Sequence, residues 1–107
     1  MTEPPEASSN QTVPKPGVQA VLDLLEVAID ARAELIDARH ESALRLFNGF
    51  YEGCSELVID LYARTAIIFE YARESTVFQP IVRAVQEYLF YRFPWLNAVI
   101  LKMRKAS

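Results

Sequence analysis

The sequence predicts an α+β domain: an N-terminal helix, a small mostly antiparallel sheet in the order β-β-β-α-β, and one helix packed on that sheet. Three observations lead there. Apolar residues recur with a period near 3.6 after Gly17, the period falls to two after Glu41, and a helical period returns from about Val77 to Arg92. With 107 residues, 51% of them hydrophobic, the chain holds one domain at most and enough apolar material for one core.

Residues 1–17 carry four of the six prolines and almost nothing that could be buried, so they read as a disordered tail, with residues 18–107 as the folded part. Val18, Val21, Leu22, Leu25, Ala28, Ile29, Leu35 and Ile36 form one stripe of a helix that runs to about Arg39. The like charges Asp30 and Glu34, spaced i, i+4, weaken it slightly. Leu44 to Phe47 then alternate as a first strand closed by Asn48-Gly49, and a loop with Gly53 follows. Leu57, Ile59 and Leu61 alternate with Val58, Asp60 and Tyr62 in a second strand. Ala63-Arg64 forms a two-residue hairpin turn, where glycine or asparagine is the usual choice. In the third strand, Ala66–Tyr71, the apolar alternation puts Ile67, Phe69 and Tyr71 on one face, with Phe69 in the core. The second helix buries Phe78, Ile81, Val82, Val85 and Leu89. Ser75 or Thr76 caps it, Pro80 sits in its first turn, and Pro94 ends it. Ala98–Met103 reads as a final strand, and the chain stops soon after it, as a domain cut from a larger protein would.

Net charge is −3, which argues against bulk polyanion binding. The charge is uneven, however. Residues 1–37 hold seven acids against Lys15 and Arg32, while from Arg83 onward Arg83, Arg92, Lys102, Arg104 and Lys105 face Glu87 alone. Such an end is compatible with nucleic-acid contact, although an ordinary solvated face is the commoner meaning of such a pattern. Cys54 is the lone cysteine, so no intramolecular disulfide forms, which fits a reducing cytoplasm. No stretch has the length and apolarity of a membrane span, and the N-terminus lacks the features of a secretory signal.

No constellation in the chain reads as catalytic, cofactor-binding or metal-binding. His40, the only histidine, lacks zinc-ligand partners and a serine–acid pair, and reads as a surface residue near a helix end. Cys54, beside Gly53, has no cationic cluster to activate a thiolate and reads as a filler. Asp60 interrupts an apolar run, so it faces solvent or anchors a buried polar contact; sheets that wet one face favour solvent. Asn48, Gly49 and Gly53 lack the lysine and the following helix of a phosphate loop. Phe47, Phe50, Tyr51, Tyr62, Tyr71, Tyr88, Tyr91 and Trp95 read mostly as core, although an exposed ring can stack on an unpaired base.

The stretch RLFNGFYEGCSELVIDLYAR, residues 45–64, resembles a motif of the form R-L-x-N/H-G-E-G-D-G-L-P-G-L-V-V-D-R-Y-G-D. That motif precedes the catalytic domain in class I S-adenosylmethionine-dependent methyltransferases of the ribosomal-RNA cytosine-5 type. Arg45, Leu46, Asn48, Gly49, Gly53, Leu57, Asp60 and Tyr62 stand at matching positions, and AIDARAELIDARHESALRL is similar to the family's entry into the motif. Ser55 and Glu56 replace the proline and glycine before the second strand, Leu61 replaces an arginine, and Ala63-Arg64 replaces Gly-Asp. Glu52 aligns with the acid of the family's loop. A proline-rich segment stands where the family commonly carries a PUA domain.

The resemblance implies a non-catalytic accessory domain of a methyltransferase, with a downstream catalytic domain as its partner. That domain would use S-adenosylmethionine, for which this chain has no Gly-x-Gly-x-x-Gly turn. Arg45, Arg64, Lys102, Arg104 and Lys105 are then the candidate phosphate contacts to RNA. The alternative is a structural module that docks a neighbouring domain or a second copy through its sheet and aromatic loop, without binding nucleic acid.

Overall fold

The computed structural model describes residues 17–104; the expected tail up to residue 16, and Lys105, lie outside them. The elements are helix α1 (Val18–Arg32), strand β1 (Ala43–Asn48), a one-turn helix α2 (Gly49–Glu52), strands β2 (Leu57–Tyr62) and β3 (Thr65–Glu70), helix α3 (Ser75–Arg92) and strand β4 (Ala98–Met103). The sheet order is β1-β2-β3-β4. The first three strands are antiparallel neighbours, and β4 runs parallel to β3. This is the α+β arrangement the periodicities predict, with α3 as the crossover that a parallel pair requires.

Both long helices lie on one face of the sheet. Val21, Leu25, Ala28 and Ile29 of α1, and Phe78, Val82, Val85 and Leu89 of α3, share a core with Leu46, Phe47, Leu57, Ile59, Leu61, Ala66 and Ile68. Arg92 donates from Nη2 to Asp30 at 2.8 Å and ties the two helices together.

Several expectations need correction. Helix α1 stops at Arg32 and tightens into a 3-10 turn, Ala33–Leu35, instead of reaching Arg39. Leu35 is 61% exposed as a result. At this end of the helix the Arg32 guanidinium makes a bidentate pair with Glu52, at 2.9 and 2.8 Å, twenty residues along the chain. In β1 the alternation breaks. Arg45 pairs with Asp60 and Phe47 with Ile59, so Leu46 is the extra residue of a bulge, and Leu46 and Phe47 are both buried.

Phe69 is not in the helix-covered core. The hairpin aligns Leu57 with Glu70, Ile59 with Ile68 and Leu61 with Ala66, so Ala66, Ile68 and Glu70 turn inward while Ile67 and Phe69 turn away. Helix α3 begins at Ser75, which puts Pro80 in its second turn. Glu74 takes the N-cap position and no side chain caps the helix.

The hairpin turn is as predicted. Ala63 adopts φ 55°, a left-handed conformation that costs an L-residue about 1–2 kcal/mol. Its N–H donates to the Ser42 carbonyl at 2.8 Å, which holds the turn against the entry to β1. The loop before β1 is organised by Asp37. Its carboxylate accepts from the Ser42 hydroxyl at 2.8 Å and from the N–H groups of Glu41 and Ser42. These bonds, the Ser42 hydroxyl foremost, hold the Asp37 carboxyl down at about 2.

Candidate functional site

The face of the sheet opposite the helices is built by register. Val58 aligns with Phe69, Asp60 with Ile67 and Tyr62 with Thr65; Arg45 aligns with Asp60, Ile100 with Ile67, and Lys102 with Phe69. Residues side by side in a sheet share a face, so Arg45, Asp60, Tyr62, Ile67, Phe69, Ile100 and Lys102 form one surface. Tyr62 is 49% and Ile100 43% exposed. Arg104, just past β4, places its guanidinium 5.5 Å from the centre of the Phe69 ring, a cation–π contact.

Asp60 settles the choice left open by sequence. It is 6% exposed and is held by Arg45, Nε to Oδ1 at 2.7 Å and Nη2 to Oδ2 at 3.2 Å. It anchors a polar contact and does not face solvent. The Asp60 hydrogen bond raises the Arg45 pKa further above its ordinary value. Beside this pair, Ala43, Leu44 and Tyr62 line a shallow hollow of about 390 Å³. Arg45 therefore brings its positive charge already matched to a carboxylate. Lys102 and Arg104 have no such partner among the described residues.

The remaining predicted residues fall in two places. Arg64 lies in the β2–β3 turn, at the opposite end of β3 from Arg104, and its Nη1 lies 3.4 Å from the Trp95 carbonyl. A six-residue strand rising about 3.3 Å per residue separates the two by roughly 20 Å. Asn48, Gly49 and Gly53 build a structural corner. The Asn48 N–H donates to Glu52 Oε1 at 2.7 Å, and Gly53 closes the one-turn helix with φ 111°. Gly49 is buried so tightly that a Cβ there would overlap the carbonyl oxygens of Cys54 and Leu57. A single helical turn, Gly49–Glu52, lies within the loop, and strand β2, not a helix, follows Gly53. Burial pushes the Glu52 carboxyl up, and the Arg32 guanidinium and Asn48 N–H outweigh it, leaving a net lowering.

His40 is not a simple surface residue. It is half-buried at φ 56° and stacks on Trp95, with ring centres 3.9 Å apart. Cys54 is buried in the core, as a filler should be. Phe47 is buried as expected, whereas Phe50, Tyr51 and Tyr91 are strongly exposed and so are not core residues. Sequence reasoning missed Ile67, Phe69 and Ile100 as surface residues of the open face, although the two-residue turn dictates which residues of β3 accompany Leu61 inward. Among the described residues no helix is long and apolar enough to cross a membrane.

No protein-family profile matches the sequence, and no curated protein matches it. Solved structures do match the fold. One is SMU.776, assigned as a methyltransferase and crystallised with SAH, at TM-score 0.66 and 20% identity over 87% of this chain. Another is a protein from Streptococcus mutans assigned as a SAM-dependent methyltransferase, at TM-score 0.67 and 18% identity over 87% of this chain. The chain spans 24% of the length of each. At these identities the likeness is one of fold: this α+β unit recurs as about a quarter of larger methyltransferase-assigned chains.

Proposed function

We propose that this chain is an accessory domain of an S-adenosylmethionine-dependent RNA methyltransferase of the ribosomal-RNA cytosine-5 type, and that its open sheet face orients the RNA. The observation that carries this reading is the open face itself, where Lys102 and Arg104 flank the partly exposed Phe69, and Tyr62 and Ile100 stand out beside them. Cations position a phosphate backbone, and rings stack on unpaired bases without demanding sequence. The motif at residues 45–64 and the partial coverage of larger methyltransferase-assigned chains support the same parent enzyme. The methyl donor belongs to the catalytic part of that enzyme. Among the described residues the strand–loop–helix crossover, Glu70 to Ser75, has Tyr71-Ala72-Arg73-Glu74 as its loop, with no glycine to let a cofactor approach the backbone.

The test is fluorescence anisotropy of a labelled single-stranded RNA titrated with the chain between about 50 and 200 mM salt, where each neutralised phosphate contributes about −0.7 to the log–log slope. Two or three contacts give a slope of about −1.4 to −2.1. The double substitution Lys102→Glu/Arg104→Glu abolishes binding, while Arg83→Glu on the exposed side of α3 leaves most of it. Salt-independent binding, or equal effects of the two variants, contradicts the reading.

A second reading has its own observation. Ile67, Phe69 and Ile100 make the centre of this face apolar with no element among the described residues laid over them, which suits docking against the neighbouring catalytic domain. A chain that ignores RNA at low salt yet binds the separate catalytic domain through Ile100 favours docking alone.

A further inference from the structure

Strands β3 and β4 are parallel neighbours, and α3 crosses between them. Their carboxyl ends and the start of α3 therefore meet at one end of the sheet. A cavity of about 540 Å³ lies there, lined by Glu70, Ala72, Arg73, Ser75, Met103 and Arg104. Small-molecule sites occupy about 300–1,000 Å³.

Glu70, the last residue of β3, lines this cavity and is only 2% exposed. Its Oε2 accepts the Ser75 hydroxyl at 2.8 Å, and its Oε1 is buried with no hydrogen-bond partner. Buried acceptors are nearly always paired, so an orphan beside a cavity asks for a donor from a ligand. The rim has the opposite demand. Arg73 and Arg104 are exposed cations, and α3 starts with no side-chain cap; the Val77 and Phe78 N–H groups donate to the Glu74 carbonyl, which leaves the Ser75 and Thr76 N–H groups and the positive end of an 18-residue helix to favour an anion. Glu74, at the N-cap, lines the neighbouring hollow with Val77 and Phe78. The Arg104 N–H donates to the Glu70 carbonyl at 2.7 Å, which fixes the rim to the floor.

A simple anion would satisfy the rim and meet the Glu70 carboxylate; a simple cation would satisfy Glu70 and meet two arginines. A nucleotide answers both. We infer that this crevice binds a nucleotide through an N–H-bearing base edge on Glu70 and a phosphate held by Arg73, Arg104 and the first turn of α3. Guanine suits Glu70 best, because its ring N–H and exocyclic amino group lie side by side. Uracil suits it poorly, because its single N–H sits between two carbonyl oxygens that a carboxylate repels. Arg104 is common to this crevice and to the open face, where its guanidinium rests on Phe69, whereas Glu70 and Arg73 belong to the crevice alone, so Glu70→Gln and Arg73→Glu test the inference separately from RNA binding by the open face. A free mononucleotide and an unpaired residue of a strand offer this crevice the same chemistry.

The test is calorimetric titration of the full chain with GMP, UMP and inorganic phosphate, each to roughly 10 mM, the weak end of measurable affinity. GMP is expected to bind at least about tenfold more tightly than UMP or phosphate, and Glu70→Gln to weaken GMP about tenfold, the scale of one charge-assisted hydrogen bond. Arg73→Glu, an exposed substitution that leaves the fold intact, is expected to abolish binding and keeps the test open should Glu70→Gln unfold. No GMP binding by the folded wild-type chain overturns the inference, as does equal binding of GMP and UMP. RNA binding lost with Lys102→Glu/Arg104→Glu but without any GMP affinity overturns the inference and leaves the proposed function standing. GMP binding without RNA binding does the reverse. If GMP binds, competition by a short G-containing single strand, against one lacking G, separates a strand residue from a free mononucleotide.

Discussion

Truncating Leu89 and Phe69 in parallel distinguishes the two faces of the sheet. Leu89 is fully buried between α3 and the sheet. Leu89→Ala removes three carbons, about 2.4 kcal/mol of transfer free energy at ~0.8 kcal/mol each. It also leaves a cavity that the surrounding helices and strands fill only in part, raising the loss to about 3–4 kcal/mol. Phe69 is larger, but it lies half-exposed on the open face with no layer of the described residues above it. Phe69→Ala leaves no enclosed void, so only its buried half and the Arg104 contact are lost, about 1–1.5 kcal/mol. For a domain of this size each kcal/mol moves the melting temperature by about 4–8 °C, so the expected drops are roughly 12–30 °C and 4–12 °C. Thermal melts followed by circular dichroism read both. Equal losses, or a greater loss for Phe69→Ala, would refute the assignment of faces.

Three further outcomes follow from the local geometry. Gly49→Ala should cost about 3 kcal/mol or more in chemical denaturation, because its Cβ meets backbone carbonyls that cannot swing away. Ala63→Gly should stabilise by up to about 1 kcal/mol, since glycine adopts the positive φ of the hairpin turn without strain and gives back only part of that in unfolded-state entropy. The Asp37 carboxyl lies below its unfolded value of 3.8 and titrates at about 2. Its contribution is therefore complete above the unfolded value and is lost as pH falls from there through about 2; amide exchange of Glu41 and Ser42 should accelerate over that window, and Asp37→Asn should remove the dependence.

Most elements were legible because their signals are local. The stripes Val21–Ile29 and Phe78–Leu89, the turn at Ala63-Arg64 and strand β4 follow from periodicity and spacing alone. The departures lie where contacts distant in sequence meet. Helix α1 ends where Arg32 meets Glu52, a contact that no window of sequence contains. The bulge at Leu46 leaves no pattern, since a strand with an extra residue looks like any apolar run. Strand β3 carries two competing alternations, Ile67-Phe69-Tyr71 and Ala66-Ile68-Glu70. Hydrophobicity favours the greasier set inward, whereas register from the two-residue turn puts the set ending in a glutamate there. That same glutamate forms the floor of the crevice, where its inward facing follows from register and not from hydrophobicity. Of the candidate contacts, the sequence marked Lys102 and Arg104 by charge alone. It could not show that Arg45 is already matched to Asp60 or that Arg64 lies at the far end of the sheet.

The central claim is that the uncovered side of the sheet is where this domain meets RNA. The most direct measurement is mapping of backbone amide shifts in the labelled chain on titration with single-stranded RNA. The account predicts that the perturbed residues gather on β4 and the adjoining parts of β2 and β3, at Tyr62, Ile67, Phe69, Ile100, Lys102 and Arg104, with α1 and the outer side of α3 silent. Shifts confined to the helices, or none at RNA concentrations that saturate other single-strand binders, would contradict it.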